Sequence, residues 1–103
     1  MANVVWTSRA LADLEAIGAY HAQTAPGYAE MLVRKLLQAA ERLKTFPASG
    51  RAVPEIGDES LREIIHRNYR IVYIHLQDDD RVEVLTVFHA SRQFGTLPGG
   101  LGE

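Results

Sequence analysis

The chain has 103 residues, a formal net charge of −2 and an isoelectric point near 6.1, so it fits one domain and lacks the basic excess typical of proteins that bind nucleic acid through its phosphates. Cysteine is absent, which excludes disulfide bonds and thiolate chemistry, and the 47% hydrophobic content is ordinary for a soluble globular protein. The apolar runs are too short to cross a bilayer and the first residues do not resemble a signal peptide, so we expect a cytoplasmic protein.

The first half of the sequence predicts one strand and two helices. The apolar run of residues 3–6 predicts a strand, and Thr7 or Ser8 would cap the helix that the apolar spacing predicts over residues 9–22. Apolar residues recur every three or four positions across residues 26–46, which predicts a second helix with a proline in its first turn. Because the link between the helices is short, we expect them to be antiparallel neighbours.

The second half predicts a loop followed by three strands. Residues 48–60 are rich in glycine, proline and polar side chains and are expected to be irregular. The apolar and β-branched runs over residues 61–66, 69–76 and 82–89 predict strands joined by short polar turns. The middle run is apolar at successive positions, so it should be the central strand.

This order predicts an α+β fold in which an N-terminal strand and an antiparallel helical hairpin precede a three-stranded antiparallel sheet, β-α-α-β-β-β. The first strand must join that sheet, because an isolated strand is unstable in water. We expect a single domain over residues 1–94. Residues 95–103 hold four glycines and a proline and are expected to form a flexible tail.

The predicted hairpin between the second and third strands carries the first functional candidate, Arg70. An arginine at the edge of a buried strand must meet an anion or a partner, because an unpaired buried charge is strongly unfavourable. Two interpretations stay open: Arg70 binds another macromolecule, or it pairs internally with Glu63. A following turn centred on Asp79 would set Tyr69 opposite His89, and a slip of one residue would set Arg70 opposite His89 instead. Both residues would then lie beside Arg70 at one end of the sheet, a combination that protein interfaces favour.

The other reactive residue types form no recognisable catalytic or metal site. The four histidines, His21, His66, His75 and His89, lack metal-ligand spacing, and we expect neither a metal nor another cofactor. The sequence has no glycine-rich phosphate loop and no nucleophile-elbow serine. His89 therefore has two interpretations, a functional residue or a hydrogen-bonded structural histidine.

The order and spacing of short motifs resemble one known family over roughly residues 4–94. The N-terminal half contributes Val5-Trp6-Thr7, Ala12-Asp13-Leu14 with Ile17, Pro26 before the long helix, and Leu43 to Phe46 at its end. The C-terminal half contributes Pro47-Ala48-Ser49-Gly50-Arg51, Val53-Pro54-Glu55, Arg62-Glu63-Ile64, Tyr69-Arg70-Ile71-Val72-Tyr73, and Val84 to Val87 before His89 and Arg92. The pattern is similar to the ParE/RelE superfamily of toxins from bacterial type II toxin–antitoxin modules, and most closely to its ParE-like, plasmid-stabilisation branch.

The resemblance implies a toxin that a cognate antitoxin holds inactive, and the two branches of the superfamily act differently. RelE-like members cut messenger RNA on the ribosome, and they have lysines on the second strand, an arginine after the third-strand tyrosine and basic residues at the end of the fourth strand. Here the second strand has Leu61 and Glu63, while Arg70, His89 and Arg92 match the other positions. So few cations disfavour an RNA-cleaving site and favour the ParE-like branch, whose members poison DNA gyrase without hydrolytic chemistry.

The resemblance and the residues together predict a ParE-like toxin that inhibits DNA gyrase by binding it and forms a hetero-oligomer with a ParD-like antitoxin. The residues expected to contact the target are Arg67, Tyr69, Arg70, His89 and Arg92. The residues expected to contact the antitoxin are Leu32, Leu36 and Leu43, although this apolar stripe can equally be core.

Two alternatives stay open. The first is a ribosome-dependent messenger-RNA endoribonuclease that uses Arg70, His89 and Arg92. The second is an inactive relative that serves only as a binding module. For every alternative we expect no membrane association and no sequence-specific nucleic-acid binding by the toxin alone.

Overall fold

Two helices and five strands form residues 1–92, the part of the chain that the computed structural model describes. In chain order they are β1 (Asn3–Trp6), α1 (Ser8–Ala22), α2 (Pro26–Glu41), β2 (Arg51–Ala52), β3 (Leu61–His66), β4 (Tyr69–Leu76) and β5 (Arg81–His89). The α+β class predicted from the sequence is confirmed. Residue 94, the predicted domain end, and the predicted tail of residues 95–103 lie outside the described residues. No helix in the described part is both long and apolar enough to cross a membrane.

The first helix is capped by Thr7, one of the two capping residues that the sequence predicted. The Thr7 hydroxyl oxygen accepts a hydrogen bond from the backbone N–H of Ala10 at 3.1 Å, and the same hydroxyl donates to the carbonyl of Val84 at 2.8 Å. One side chain therefore starts α1 and ties it to β5. Pro26 occupies the first position of α2, where no intrahelical N–H is needed.

The second helix is shorter than predicted. Its apolar stripe continues to Phe46, but α2 ends at Glu41 and the chain continues as a single 3-10 turn, Arg42–Lys44. The carbonyl of Lys44 accepts a hydrogen bond from the N–H of Ala2 at 2.8 Å, so the tighter turn connects this helix end to the N-terminal segment. An α-helix and a 3-10 turn can both bury one side of the chain. Apolar periodicity identifies that buried side, so it does not show where the α-helix ends and the 3-10 turn begins.

The sheet has five strands in the order β1-β5-β4-β3-β2, with β1 parallel to β5 and the other neighbours antiparallel. It is larger and more mixed than the predicted three-stranded antiparallel sheet, although the first strand joins it as expected. The additional strand, β2, lies within the segment predicted to be irregular. A run of two residues is too short to show the alternation that identifies a strand. The predicted central strand, β4, does lie in the middle.

The register of β4 and β5 decides which side chains meet at one end of the sheet. Tyr69 lies opposite His89, the direct pairing that the sequence predicted, although the pairs beside the turn, such as Leu76 opposite Arg81, are one residue out of that register. Farther along the pair, a bulge at Leu85 shifts the pairing by one residue. Because side chains alternate along a strand, Tyr69 points toward the helices while Arg70 points toward the opposite face.

The helices cover one face of the sheet, and their leucines form the core there. Leu32, Leu36 and Leu43 are all 0% exposed. Leu32 and Leu36 belong to a buried cluster with Ile71 and Val84 of the sheet. Of the two roles that the sequence left open for these leucines, the structure assigns the core. Their contact with an antitoxin stays a prediction, and it would require a conformation that exposes these side chains, because all three are fully buried here.

The opposite face of the sheet, called the outer face below, is covered by the segment between β2 and β3. Val53 of this segment belongs to a second, smaller buried cluster with Val72 and Phe88 of the outer face. The segment also carries Glu55, which reaches the position where Arg70 points. The segment between β2 and β3 therefore determines which groups surround Arg70, the principal candidate residue.

Candidate functional site

Arg70 lies in an internal ion-pair cluster on the outer face and is only 6% exposed. Its Nε donates to Glu63 Oε1 at 2.6 Å, while its two terminal nitrogens donate to the two carboxylate oxygens of Glu55 at 2.8 Å each. The ring of Phe88 lies 5.0 Å from the guanidinium carbon, close enough for a cation–π contact. Arg51 completes the cluster by donating its Nε to the other oxygen of Glu63 at 2.7 Å.

The internal pairing of Arg70 with Glu63, one of the two sequence interpretations, is confirmed. The cluster contains two guanidinium groups and two carboxylates, so its formal charge is zero. Hydrogen bonding to Glu55 outweighs the effect of burial and raises the pKa of Arg70 above its ordinary value, with a further contribution from Glu63. Arg70 is therefore a charged but already neutralised group. The contribution of Glu55 was missed, because no local pattern relates position 55 to position 70.

Tyr69 lies on the helix-facing side and contacts two histidines. Its hydroxyl is 2.9 Å from Nε2 of His21, within hydrogen-bond distance, and the ring of His89 meets its ring edge-to-face with the centroids 5.5 Å apart. Burial raises the pKa of the Tyr69 phenol above its ordinary value, and the neighbouring Tyr28 and Tyr20 add to the shift. His21 was not among the sequence candidates, although its spacing from Ile17 continues the core-facing stripe of α1.

His89 ends β5 and is exposed, with one ring nitrogen engaged locally. The backbone N–H of Ser91 donates to its Nδ1 at 3.1 Å, and the Ser91 hydroxyl lies 2.7 Å from the same atom. Because Nδ1 accepts, the neutral ring carries its proton on Nε2. Arg92 follows and is also exposed, as is Arg67 in the turn between β3 and β4, where its backbone is left-handed with φ at 54°.

A cavity of about 590 Å³ between α1 and β5, called the α1–β5 cavity, brings three of the five predicted target-binding residues together. Tyr69, His89 and Arg92 line it, together with Arg9 and Asp13. Asp13 is held in place because its carboxylate accepts hydrogen bonds from the Thr86 hydroxyl and from the N–H of Val87 at 3.1 Å. Arg70 and Arg67 are not part of the lining. Arg70 points to the outer face, whereas Arg67 lies at the same end of the sheet in the β3–β4 turn.

This cavity combines groups with acid–base capacity and groups with positive charge. Among the lining residues, Tyr69 and His89 are acid–base groups, and Arg92 and Arg9, whose Nε lies 4.0 Å from the Asp13 carboxylate, are cations that can hold an anion. Apolar lining from Ile17 and Val87 makes it equally suited to an aromatic or aliphatic side chain of a protein partner. Among residues 1–92, no group of three His, Asp or Glu side chains is placed to hold a metal ion.

Comparison with protein families and curated proteins places the chain among bacterial toxins. A family model described as the ParE toxin of the type II toxin–antitoxin system parDE matches residues 4–94. Toxin RelE2 of Caulobacter vibrioides is 36% identical over 92 residues, which cover 89% of this chain and 99% of that protein. The putative toxin Y4kP of Sinorhizobium fredii is 38% identical over 94 residues, which cover 89% of this chain and 92% of that protein.

Solved structures of toxin–antitoxin proteins share the fold at lower sequence identity. A chain of the chromosomal ParDE system of P. aeruginosa aligns with a TM-score of 0.71 at 18% identity, covering 86% of this chain and 96% of that one. A chain of the RelBE2 complex of Mycobacterium tuberculosis aligns with a TM-score of 0.63 at 19% identity, covering 85% and 96%. The isolated E. coli RelE toxin aligns with a TM-score of 0.59 at 23% identity, covering 90% and 88%.

Proposed function

Because this chain belongs to the ParE toxin family of type II toxin–antitoxin systems, we propose that it inhibits DNA gyrase by binding it, without cutting a substrate itself. In this proposal the toxin acts in the cytoplasm, where its target is, and a cognate ParD-like antitoxin holds it inactive in a hetero-oligomer. The neutralisation of Arg70 is the observation that carries the choice of mechanism.

RNA cleavage requires a group that removes the 2′-hydroxyl proton, a group that protonates the leaving oxygen, and cations that stabilise the transition-state phosphate. On the outer face the guanidinium of Arg70 already has the carboxylates of Glu55 and Glu63 as partners. A phosphate approaching it would meet those two negative charges as well. This environment opposes transition-state stabilisation by Arg70 and supports a mechanism based on binding.

We propose that the gyrase contact surface is the rim of the α1–β5 cavity. Tyr69, His89 and Arg92 line the cavity, and Arg67 extends from the neighbouring turn. Aromatic and arginine side chains around a partly apolar pocket are the usual anchors of a protein–protein contact. Arg70 supports this surface indirectly, because its ion pairs hold the strand on which Tyr69 lies.

The alternative function, a messenger-RNA endoribonuclease, is favoured by one specific observation. The Tyr69 hydroxyl is hydrogen-bonded to His21, and Tyr69, His89, Arg9 and Arg92 line the same cavity. These are acid–base groups beside cations, as an RNA-cleaving site needs. Such an enzyme would use the α1–β5 cavity and not Arg70.

The deciding experiment is induced expression of the chain in a bacterial host together with assays on purified gyrase. Gyrase binding predicts filamentous cells, a DNA-damage response and inhibition of supercoiling at near-stoichiometric toxin. Cleaved transcripts with unaffected supercoiling would replace the proposal by the nuclease alternative. Absence of both effects at a toxin concentration well above that of gyrase would support the inactive binding module.

A further inference from the structure

A second cavity lies between α2 and β3, away from the α1–β5 cavity. This α2–β3 cleft has a volume of about 530 Å³. Its helical side carries Lys35 of α2 and Arg42 of the following 3-10 turn, and its strand side carries Ile64 and His66. Lys35 and Arg42 are seven positions apart, about two helical turns, so both cations lie on the same side of the chain.

The cleft has two positive charges without counterions. Arg51 and Glu63 also line it, but they form an ion pair of 2.7 Å with each other. No ion pair within residues 1–92 includes Lys35 or Arg42. The charges of Arg51 and Glu63 cancel, so Lys35 and Arg42 give the lining its positive excess.

His66 contributes an unused hydrogen-bonding group to the same cleft. Its Nε2 is buried and has no hydrogen-bond partner among residues 1–92. Burial lowers the pKa of His66, and the charges of Arg67, Lys35 and Arg42 lower it further. The ring is therefore neutral at pH 7, and in the tautomer with its proton on Nε2 it donates one hydrogen bond. A buried polar atom without a partner is uncommon in a folded protein, and an anion in the cleft would supply the missing acceptor.

We propose that the α2–β3 cleft binds a phosphate monoester of a small molecule, with Lys35 and Arg42 as its counterions and His66 Nε2 as a hydrogen-bond donor to a phosphate oxygen. A phosphate monoester carries about 1.5 to 2 negative charges at pH 7, which matches the two uncompensated cations. This ligand site goes beyond the proposed gyrase inhibition and does not depend on it.

The charge and the size of the cleft favour this ligand class over other anions. A carboxylate or a phosphodiester carries a single negative charge and would leave one of the two cations unmatched. A cleft of about 530 Å³ is larger than a bare phosphate needs and lies in the usual range of small-molecule sites. Ala39 and Ile64 also line it and offer apolar surface to the organic part of the ligand.

The α1–β5 cavity is the competing location for the same anion. It is lined by two cations as well, Arg9 and Arg92. However, the Asp13 carboxylate lines that cavity and lies 4.0 Å from Arg9 Nε, so the positive excess there is smaller by one charge. A dianion should therefore prefer the α2–β3 cleft.

The test is a nuclear magnetic resonance titration of the full chain with adenosine 5′-monophosphate and, separately, with ribose 5-phosphate. We expect saturable shifts at Ile64 and His66 with one or both ligands. We also expect a higher pKa of His66 in the complex, because a bound anion favours the protonated ring. Adenosine, which lacks the phosphate, should cause no saturable shift.

Three results would overturn the proposal. The first is the absence of a saturable shift with both phosphate monoesters. The second is shifts centred on His89 and Arg92, which would move the anion to the α1–β5 cavity. The third is equally tight binding of the methyl diester of adenosine 5′-monophosphate, which has one charge and would indicate a nucleic-acid backbone as the ligand.

Variants of the two cations locate the binding on the protein. Lys35→Gln combined with Arg42→Gln should weaken binding about tenfold or more, because it removes both counterions. Arg34→Gln is the matched control: Arg34 is exposed on α2 and is not part of the lining, so its loss should leave the affinity unchanged. Native affinity of the double variant would contradict the site.

Variants of His66 test the hydrogen bond. His66→Phe keeps a ring of similar shape but removes the donor, so it should weaken binding about fivefold. His66→Gln keeps an N–H donor in the side chain and should weaken binding less than His66→Phe does. Equal affinities of the native chain and His66→Phe would remove His66 from the site.

Discussion

The guanidinium of Arg70 forms a bidentate ion pair with the carboxylate of Glu55, 15 residues earlier in the chain, and both nitrogen–oxygen distances are 2.8 Å. This pair attaches the segment between β2 and β3 to the outer face. It also gives Arg70 its counterion before any partner arrives. Arginine and carboxylate groups match geometrically in this arrangement, which makes it among the stronger ion pairs in proteins.

Removing Glu55 should therefore loosen the covering segment. We expect Glu55→Ala to lower the free energy of unfolding by about 1–3 kcal/mol, because it leaves two guanidinium N–H groups of Arg70 without their partner. Urea unfolding measures the loss. Glu59→Ala, in the same segment and exposed, is the matched control and should stay within about 0.5 kcal/mol of the native chain. Equal stability of both variants would show that the pair contributes little.

A double-mutant cycle tests the buried half of the cluster. Glu63 is 1% exposed and binds both Arg70 and Arg51, so Glu63→Met alone should cost about 3–5 kcal/mol. Arg70→Met alone should cost a similar amount, because it leaves the Glu63 carboxylate buried with only one partner. The double variant should lose clearly less than the sum of the two single losses, since it removes both charges. Additive losses in denaturant unfolding would argue against direct coupling.

Gly50 tests how closely the chain passes over β3 before β2. A Cβ atom on Gly50 would lie 2.6 Å from the Glu63 carbonyl oxygen and 2.6 Å from the Tyr73 hydroxyl, which accepts the Gly50 N–H. Gly50→Ala should therefore destabilise the protein by about 1–3 kcal/mol. Gly27→Ala is the opposite control: nothing lies within 4 Å of its Cβ in the first turn of α2, and alanine should stabilise that helix by up to about 1 kcal/mol. Thermal unfolding should show a lower melting temperature for Gly50→Ala and an unchanged or higher one for Gly27→Ala.

His66 should make stability depend on pH. Its pKa in the folded chain is lowered from 6.5, so the unfolded chain binds the proton more readily. The contribution of His66 to stability is present above the unfolded pKa and is lost as the pH falls through the folded pKa. His66→Asn should therefore reduce the difference in unfolding free energy between neutral and mildly acidic solution. Lys35→Glu should raise the pKa of His66, because it replaces a nearby positive charge by a negative one. Histidine nuclear magnetic resonance titration measures this pKa. A pKa that falls or stays constant would show that the charge of Lys35 does not act on His66.

Arg92 tests the target surface. Arg92→Ala removes a cation from the rim of the α1–β5 cavity and should weaken gyrase inhibition about tenfold or more, as for a central arginine anchor. The free energy of unfolding should change by less than about 0.5 kcal/mol, because Arg92 is exposed. Arg34→Ala, on the exposed side of α2, is the control and should keep full inhibition. Equal inhibition by all three proteins would remove Arg92 from the surface.

Local patterns in the sequence identified most of the secondary structure. Apolar spacing located both helices and the three longer strands, and Thr7 and Ser8 together indicated where α1 starts. Tyr69 also faces His89 as predicted, but the turn after β4 does not determine this alone, because the bulge at Leu85 shifts the register between the turn and that pair. Helices, strands and helix caps depend on residues that are close together in the chain, and apolar periodicity detects patterns among such residues.

The sequence by itself determined an α+β fold, a central β4 and the charged residues at one end of the sheet. Only the tertiary structure decided that β1 joins β5 in parallel, that His21 meets Tyr69, and that Glu55 neutralises Arg70. Each of these contacts joins residues from different elements, and its formation depends on how the connecting segments close in space. The way in which these segments fold back on one another determines which side chains are buried and which charges pair. The sequence alone shows an arginine at position 70, but an arginine can be either an exposed binding residue or one half of an internal ion pair.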